Sequence, residues 1–139
     1  MASIVFNEGV KEFDVNGKAT LFFSPTDMDF IERVYNALDN MDKKQEKYAA
    51  EIEAAKDKEI FEIARRMDGE AREEINGLFG CDVCSPVFDR RNLYSLADGF
   101  PVWANFLLAI IEQLEGAFAE EKKKTNPRIK KYTEKYTKK

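Results

Sequence analysis

Two cysteines, in the run Cys81-Asp82-Val83-Cys84, form the motif with the clearest chemical potential in this sequence. A CxxC pair supplies two of the four ligands of a structural zinc site, or forms the disulfide of a redox protein. The chain has no other cysteine and no histidine, so zinc would need a site shared between two copies. A redox pair follows a strand and opens a helix, whereas this pair follows a typical helix end at Gly80 and precedes Ser85-Pro86. We therefore predict two reduced, partly buried thiols in a loop.

The absence of histidine limits the enzymatic chemistry that this chain can perform. It removes the commonest general base and metal ligand, and with them the Ser-His-Asp and Cys-His triads. Neighbouring carboxylates, such as Glu73 with Glu74, lie beside no glycine-rich or aromatic pocket signal, and a solvated acidic face explains them. The sequence also contains no GxGxxG motif and no phosphate loop. We predict that the protein is not an enzyme and holds neither a metal nor a cofactor.

Charge is distributed unevenly along the chain, whose formal net charge is −4. Residues 122–139 contain nine lysines and arginines and one acid, so this segment carries +8 and residues 1–121 carry −12. An acidic body with a basic tail is typical of proteins with an interaction arm. Three roles stay open for the tail: a solubilising end, an arm for an acidic protein surface, or a nucleic-acid-binding segment. Its candidate contact residues are Lys122, Lys123, Lys124, Arg128, Lys130 and Lys131.

The first 23 residues favour short strands. Asn16-Gly17 is the strongest hairpin signal in the chain and predicts a turn that joins 11–15 to 18–23. Residues 3–6 then form either a third strand or an arm. A hairpin alone is marginally stable in water, so we expect this one to pack on the helices that follow.

A long helical pattern begins after the hairpin. Ser24 is the predicted cap and Pro25 the first helical residue, and no glycine or proline interrupts the pattern from Asp27 to Met67. This favours one long helix, with a break near Asn40 as the alternative. The apolar seam follows a heptad-like spacing, at Ile31, Val34, Leu38, Met41, Gln45, Tyr48, Ile52 and Ala55.

The second half of the chain predicts further helices separated by glycines. Asp68-Gly69 is a predicted interruption, after which the pattern resumes up to Gly80. Asn92 opens another helical run, which either kinks at Gly99 and Pro101 or gives way to a new helix capped by Asp98. After Asn126-Pro127, a short basic helix is predicted from the spacing of Ile129, Tyr132 and Tyr136.

Residues 102–118 are the most apolar part of the chain and form a broad helical stripe. Two interpretations stay open: a central core helix, or a helix that turns part of its stripe towards a partner protein. The members of the stripe are Val102, Trp103, Phe106, Leu107, Ile110, Ile111, Leu114 and Phe118.

Together these patterns predict a mainly α fold of the α+β class. A single helical domain, residues 1–121, carries the N-terminal hairpin and one long helix, and residues 122–139 form the basic tail helix. No apolar run reaches the roughly 18 residues of a membrane span, and the N-terminus lacks the order of a signal peptide. These features favour a cytoplasmic protein without a membrane partner.

Several short motifs resemble one family of phage proteins. They are Phe79-Gly80, the run Val87-Phe88-Asp89-Arg90-Arg91-Asn92-Leu93, and Ile111-Glu112-Gln113 at the end of the apolar stripe. The chain is similar to tail assembly chaperones from prophages of Gram-positive bacteria, small proteins that lie next to the tape measure protein. The CDVC pair and the run Asp98-Gly99-Phe100-Pro101 are not features of that family.

The resemblance implies a non-catalytic role, in which the protein coats the apolar tape measure chain until tail tube subunits polymerise around it. The expected partners are therefore tape measure and tail tube proteins, and a homo-oligomer is expected in the bacterial cytoplasm. The expected contact surface comprises Ile31, Val34, Leu38, Trp103, Phe106, Leu107 and Ile110. A regulatory or nucleic-acid-binding protein that acts through its basic tail is the alternative, and a small redox protein that uses its thiols is a third hypothesis.

Overall fold

The computed structural model describes residues 1–124, in which four helices and two small hairpins follow one another along the chain. The predicted class, mainly α with a small β component, is confirmed. The predicted tail helix lies outside the described residues. The elements are β1 (Lys11–Val15), β2 (Ala19–Phe23), α1 (Met28–Ala54), α2 (Glu59–Phe79), α3 (Cys84–Phe88), β3 (Leu96–Ala97), β4 (Phe100–Pro101) and α4 (Val102–Lys123).

Strands β1 and β2 form the predicted N-terminal hairpin, which packs on the helices through one face. The turn residues Asn16 and Gly17 have φ angles of 51° and 69°, and an Asn-Gly pair favours this left-handed geometry. The rings of Phe13 and Phe23 stack with their centroids 4.2 Å apart, and Phe23 stacks in turn on Phe30 of α1 at 4.8 Å. Aromatic stacking therefore joins the hairpin to the start of α1.

The structure decides between the two alternatives for residues 3–6 and corrects the predicted start of α1. Residues 3–6 form an exposed arm and no third strand. Asp27, and not Ser24, caps α1, because its side chain accepts a hydrogen bond of 3.0 Å from the backbone N–H of Asp29. Pro25 consequently lies in the turn before the helix and not at its first position.

The continuous helix predicted up to Met67 is wrong, because the chain reverses at residues 55–58. No break occurs near Asn40 either. The reversal uses neither glycine nor proline: Asp57 takes the left-handed conformation, with φ 51°, which aspartate tolerates better than most side chains. It lets α2 cover the apolar ridge of α1, so the partner helix that the heptad spacing requires comes from the same chain. The ridges bury Val34, Ala37, Met41 and Tyr48 of α1 and Met67, Ala71, Ile75 and Leu78 of α2.

A ladder of polar side chains on one face of α2 holds the connection that follows this helix. We name it the α2 clamp; its members are Asp68, Arg72 and Asn76. The carboxylate of Asp68 accepts hydrogen bonds from the backbone N–H of Leu93, at 2.7 Å, and from Nε of Arg72, at 3.0 Å. The guanidinium of Arg72 also donates to the carbonyl oxygens of Asp89 and Arg91, at 2.7 and 2.8 Å. One charged side chain therefore fixes two carbonyl groups of an irregular segment.

The far end of the clamp fixes the start of the same segment. The side-chain oxygen of Asn76 accepts hydrogen bonds from the backbone N–H groups of Val83 and Cys84, at 2.9 and 3.0 Å. Asn92 adds a bond in which the connection is the donor: its side-chain N–H donates to the carbonyl of Ala64 on α2 at 3.0 Å. The connection between α2 and α4 is thus held by side-chain bonds where no helix or sheet could satisfy its backbone.

The predicted interruption at Asp68-Gly69 is also wrong, because α2 runs through both residues. Asp68 stays inside the helix since its carboxylate bonds to a neighbouring segment and does not compete for the backbone of its own helix. Gly80, by contrast, ends α2 as predicted, with φ 69° in the left-handed region and its N–H bonded to Asn76.

The helical run predicted from Asn92 is wrong, because residues 96–101 form a second hairpin. Asp98 and Gly99 have φ angles of 55° and 80°, so this Asp-Gly pair makes a two-residue turn between β3 and β4. Asp98 therefore caps no helix, and Pro101 precedes α4 as its cap residue.

Helix α4 is the centre of the core, and the clamped segment sets its position. Trp103 is 1% exposed and Leu107 is fully buried. The backbone N–H of Trp103 donates to the carbonyl of Leu93 at 3.1 Å, and that of Val102 donates to Ser95 at 2.8 Å. Leu93 therefore links the two helices. Its N–H donates to Asp68 of α2, and its carbonyl accepts from the N–H of Trp103 in α4.

We predict that Asp68→Ala lowers the free energy of unfolding by about 2–3 kcal/mol, because it leaves the buried N–H of Leu93 and the Nε–H of Arg72 without their acceptor. Asp29→Ala is the matched control: it removes the exposed ion pair with Arg33 on α1 and should cost no more than about 0.5 kcal/mol. Urea denaturation of both variants measures the difference. Equal losses in the two variants would contradict the role of the clamp.

Candidate functional site

The apolar residues that the sequence offers as a partner surface lie in the protein's own core. Trp103, Phe106, Leu107 and Ile110 of α4 are buried, as is Val34 of α1. Ile31 and Leu38 are half-buried at the border of that core. Of the two interpretations of the stripe, the core helix is the one that the structure shows. These buried side chains are not accessible to a partner in this conformation.

An apolar groove does remain open where the start of α1 passes the end of α4. We name it the α1–α4 groove; it is lined by Met28, Ile31, Tyr35, Leu114, Glu115 and Phe118 and has a volume of about 250 Å³. Leu114 forms the floor and is 3% exposed. Met28 and Tyr35 form one wall, with 64% and 44% of their surfaces exposed. Single exposed apolar side chains are common on protein surfaces, but Met28 and Tyr35 border an apolar floor, and a contiguous apolar patch is more informative than an isolated exposed residue.

Helical spacing explains why these side chains meet. Met28, Ile31 and Tyr35 are three and four residues apart, so they follow one another along one face of α1. Leu114 and Phe118 do the same on α4. The two helices run antiparallel, since the start of α1 lies against the end of α4. The groove therefore extends over about two helical turns, roughly 10 Å.

The charged residues around the groove are mixed but mainly acidic. Glu115 lies in the lining, and Glu32 is one turn from Met28 on the same side of α1. Lys122 places its ammonium group 5.5 Å from the centre of the Phe118 ring, a cation–π contact at one end of the groove. The groove thus offers an apolar floor with one carboxylate, Glu115, in its lining.

The predicted basic residues divide between the described and undescribed parts of the chain. Lys122 contacts Phe118 as above, Lys123 ends α4, and Lys124 pairs with Glu121 at 3.2 Å between Nζ and Oε1. The remaining candidates, Arg128, Lys130 and Lys131, lie outside the described residues.

The two thiols of the CxxC motif differ in their exposure to solvent. Cys81 is exposed, whereas Cys84 is buried at the start of α3. Burial away from water raises the pKa of the Cys84 thiol to about 12, so it stays protonated at neutral pH. Within residues 1–124, no three acidic or cysteine side chains come together as a set of metal ligands.

Helix α4 is long and apolar enough to cross a membrane by length and composition alone. A central core helix meets the same criteria, and α4 buries seven residues in the bundle: Trp103, Ala104, Phe106, Leu107, Ile110, Ile111 and Leu114.

Sequence reasoning missed the exposed part of the groove. Ile31 was among the predicted contact residues, but Met28 and Tyr35 were not, because they fall beside the heptad seam and not on it. The available signal was their spacing around Ile31, which widens the apolar face at the start of α1 beyond what one neighbouring helix covers.

We predict that iodoacetamide at neutral pH alkylates one cysteine in the native protein and two after denaturation. The thiolate is the reactive species, so the exposed Cys81 reacts while the buried, protonated Cys84 does not. Mass spectrometry counts the adducts, and Cys81→Ser should leave the native protein unlabelled. Alkylation of both cysteines at similar rates in the native protein would contradict this prediction and would indicate a reactive thiol pair.

Comparison of the chain with protein-family models, with curated proteins and with solved structures finds no significant match.

Proposed function

We propose that this protein is a non-catalytic assembly protein that holds an apolar helical segment of a partner in its α1–α4 groove. The single observation that carries this proposal is the exposure of Met28 and Tyr35 above an apolar floor. Grooves of this kind accept amphipathic helices, whose anchors repeat every three or four residues. A groove two turns long fits a partner segment with anchors at positions i, i+3 or i+4, and i+7.

The chemistry of the rest of the molecule supports binding over catalysis. The lining of the groove contains one carboxylate, Glu115, one phenol, Tyr35, and no base–acid pair. The acidic body, with −12 over residues 1–121, favours solubility while an apolar segment is bound. Both properties suit a protein that shields apolar chains from aggregation.

The resemblance to tail assembly chaperones gives this activity a biological setting. A tape measure protein is a long chain with apolar helical segments, and we propose it as the partner, with tail tube subunits joining later. Assembly in the bacterial cytoplasm and self-association of the chaperone belong to the same proposal. The motifs that support it are Phe79-Gly80 and Val87–Leu93, which lie at the end of α2 and through α3 into the clamped segment.

We predict that the full-length protein binds a fluorescent amphipathic peptide with leucines at i, i+3, i+4 and i+7, and that Met28→Glu weakens this binding about tenfold or more. The added carboxylate would lie in the apolar wall and meet no base in the lining. Phe61→Glu is the matched control, since Phe61 is 61% exposed on α2 and outside the groove. Fluorescence anisotropy gives the dissociation constants.

A second peptide of the same composition with scrambled leucine spacing should bind weakly to every variant. Equal binding of both peptides, or equal loss in Met28→Glu and Phe61→Glu, would contradict a specific groove. If neither peptide binds while duplex DNA does, with an affinity that falls steeply with salt, the nucleic-acid alternative replaces this proposal.

A further inference from the structure

A second cavity opens between the two hairpins, α3 and α4. Its volume is about 390 Å³, within the range of roughly 300–1,000 Å³ that is usual for small-molecule sites. We name it the hairpin cavity; the residues that define it are Val15, Lys18, Phe88, Arg91, Val102 and Phe106. We infer that it binds a small organic anion, a molecule with one carboxylate or similar group on an apolar body. This goes beyond the proposed function and does not depend on it, because the described residues that line the cavity all differ from those of the α1–α4 groove.

The inner wall of the hairpin cavity is apolar and fixed by packing. Phe88 of α3 and Phe106 of α4 are each 9% exposed, and their rings meet edge to face with the centroids 5.4 Å apart. Val87, also in the lining, is buried, and Val102 is half-buried at the start of α4. Such a wall offers contact to an aromatic or aliphatic ligand body without rearrangement of the core.

Two basic side chains line the same cavity. They are Lys18, which follows the Asn-Gly turn, and Arg91, which lies in the clamped segment. Residues 1–121 contain 25 acids and 13 bases, yet the described lining of this cavity contains no carboxylate. Within residues 1–124, neither of the two bases forms an ion pair. The hairpin cavity is therefore a local positive site in an acidic body, which favours a negatively charged ligand.

Backbone hydrogen bonds hold both bases at the cavity. The carbonyl of Arg91 accepts a hydrogen bond from Arg72 at 2.8 Å, and its N–H donates to the carbonyl of Phe88 at 3.0 Å. The N–H of Lys18 donates to the carbonyl of Val15 at 2.9 Å. The backbone of each base is thus fixed, while both side chains are exposed and accessible to a ligand.

The combination of these features determines the class of ligand. A guanidinium binds a carboxylate through two parallel hydrogen bonds, and an ammonium group adds a second positive charge. An inorganic anion would use the two bases alone, and a neutral apolar molecule would use the aromatic wall alone. A molecule with an apolar body and one anionic group uses both. The cavity is too small for a folded partner or a nucleic acid, which the acidic body would also repel.

A pair of fluorescent probes tests this inference on the full-length protein. The first probe is 8-anilinonaphthalene-1-sulfonate, and the second is N-phenyl-1-naphthylamine, which has the same rings without the anionic group. We expect Arg91→Gln to weaken binding of the sulfonate about tenfold, because it removes a charge-assisted contact, and to leave binding of the neutral probe unchanged. Lys18→Gln should act in the same direction. Fluorescence titration gives the dissociation constants.

Arg90→Gln is the matched control, since Arg90 is the exposed neighbour of Arg91 and lies outside the described lining. It makes the same change in net charge and should alter neither affinity by more than about twofold. Arg91→Gln keeps the backbone carbonyl that Arg72 binds, so its urea midpoint should equal that of the control. Ala109→Phe places a ring in the cavity and should weaken binding of both probes.

Competition for the sulfonate probe identifies the ligand class. Octanoate should displace it, whereas 1-octanol and inorganic phosphate at equal ionic strength should require at least about tenfold higher concentrations. Equal displacement by phosphate, equal losses in Arg91→Gln and Arg90→Gln, or no saturable binding of the sulfonate would overturn the inference. Loss of sulfonate binding in Met28→Glu but not in Arg91→Gln would also overturn it, because the probe would then occupy the α1–α4 groove. The leucine-peptide titration decides the proposed function separately.

Discussion

The carboxylate of Asp68 is the interaction on which the arrangement of this fold depends. It bonds to the N–H of Leu93, whose carbonyl in turn accepts the N–H of Trp103 at the start of α4. Arg72, held by the same carboxylate, bonds to two carbonyl groups of the intervening segment. Helix α2, through the polar side chains of its clamp, therefore positions α4, the most apolar of the described helices. Side-chain bonds perform this task because the connection has too little regular structure to satisfy its own backbone.

The position of α4 decides which apolar side chains are buried in the protein's own core. The stripe belongs to one apolar core together with residues of α1, α2 and the N-terminal hairpin, so Trp103, Leu107 and Ile110 become core residues. The antiparallel crossing of α1 and α4 leaves their two ends uncovered by any third element of the described residues. Met28 and Tyr35 are exposed there for this geometric reason. The open groove and the stable core are thus built from adjacent parts of the same two helices.

Proteins that shield apolar chains need such a surface together with a body that stays soluble. In the function we propose, the acidic charge of residues 1–121 favours the solubility of the bound complex.

The sequence by itself determined the features that depend on local rules. The Asn16-Gly17 turn, the helix end at Gly80 and the mainly α class follow from backbone preferences and short-range periodicity, and the structure confirms them. Only the tertiary structure decided where α1 ends, since Asp57 reverses the chain without glycine or proline. It alone also decided that Asp68 continues a helix, because the acceptor role of its carboxylate depends on Leu93, 25 residues away. The same limit applies to the groove, whose walls come from opposite ends of the chain: periodicity identifies an apolar face, but packing against distant segments decides whether that face is buried.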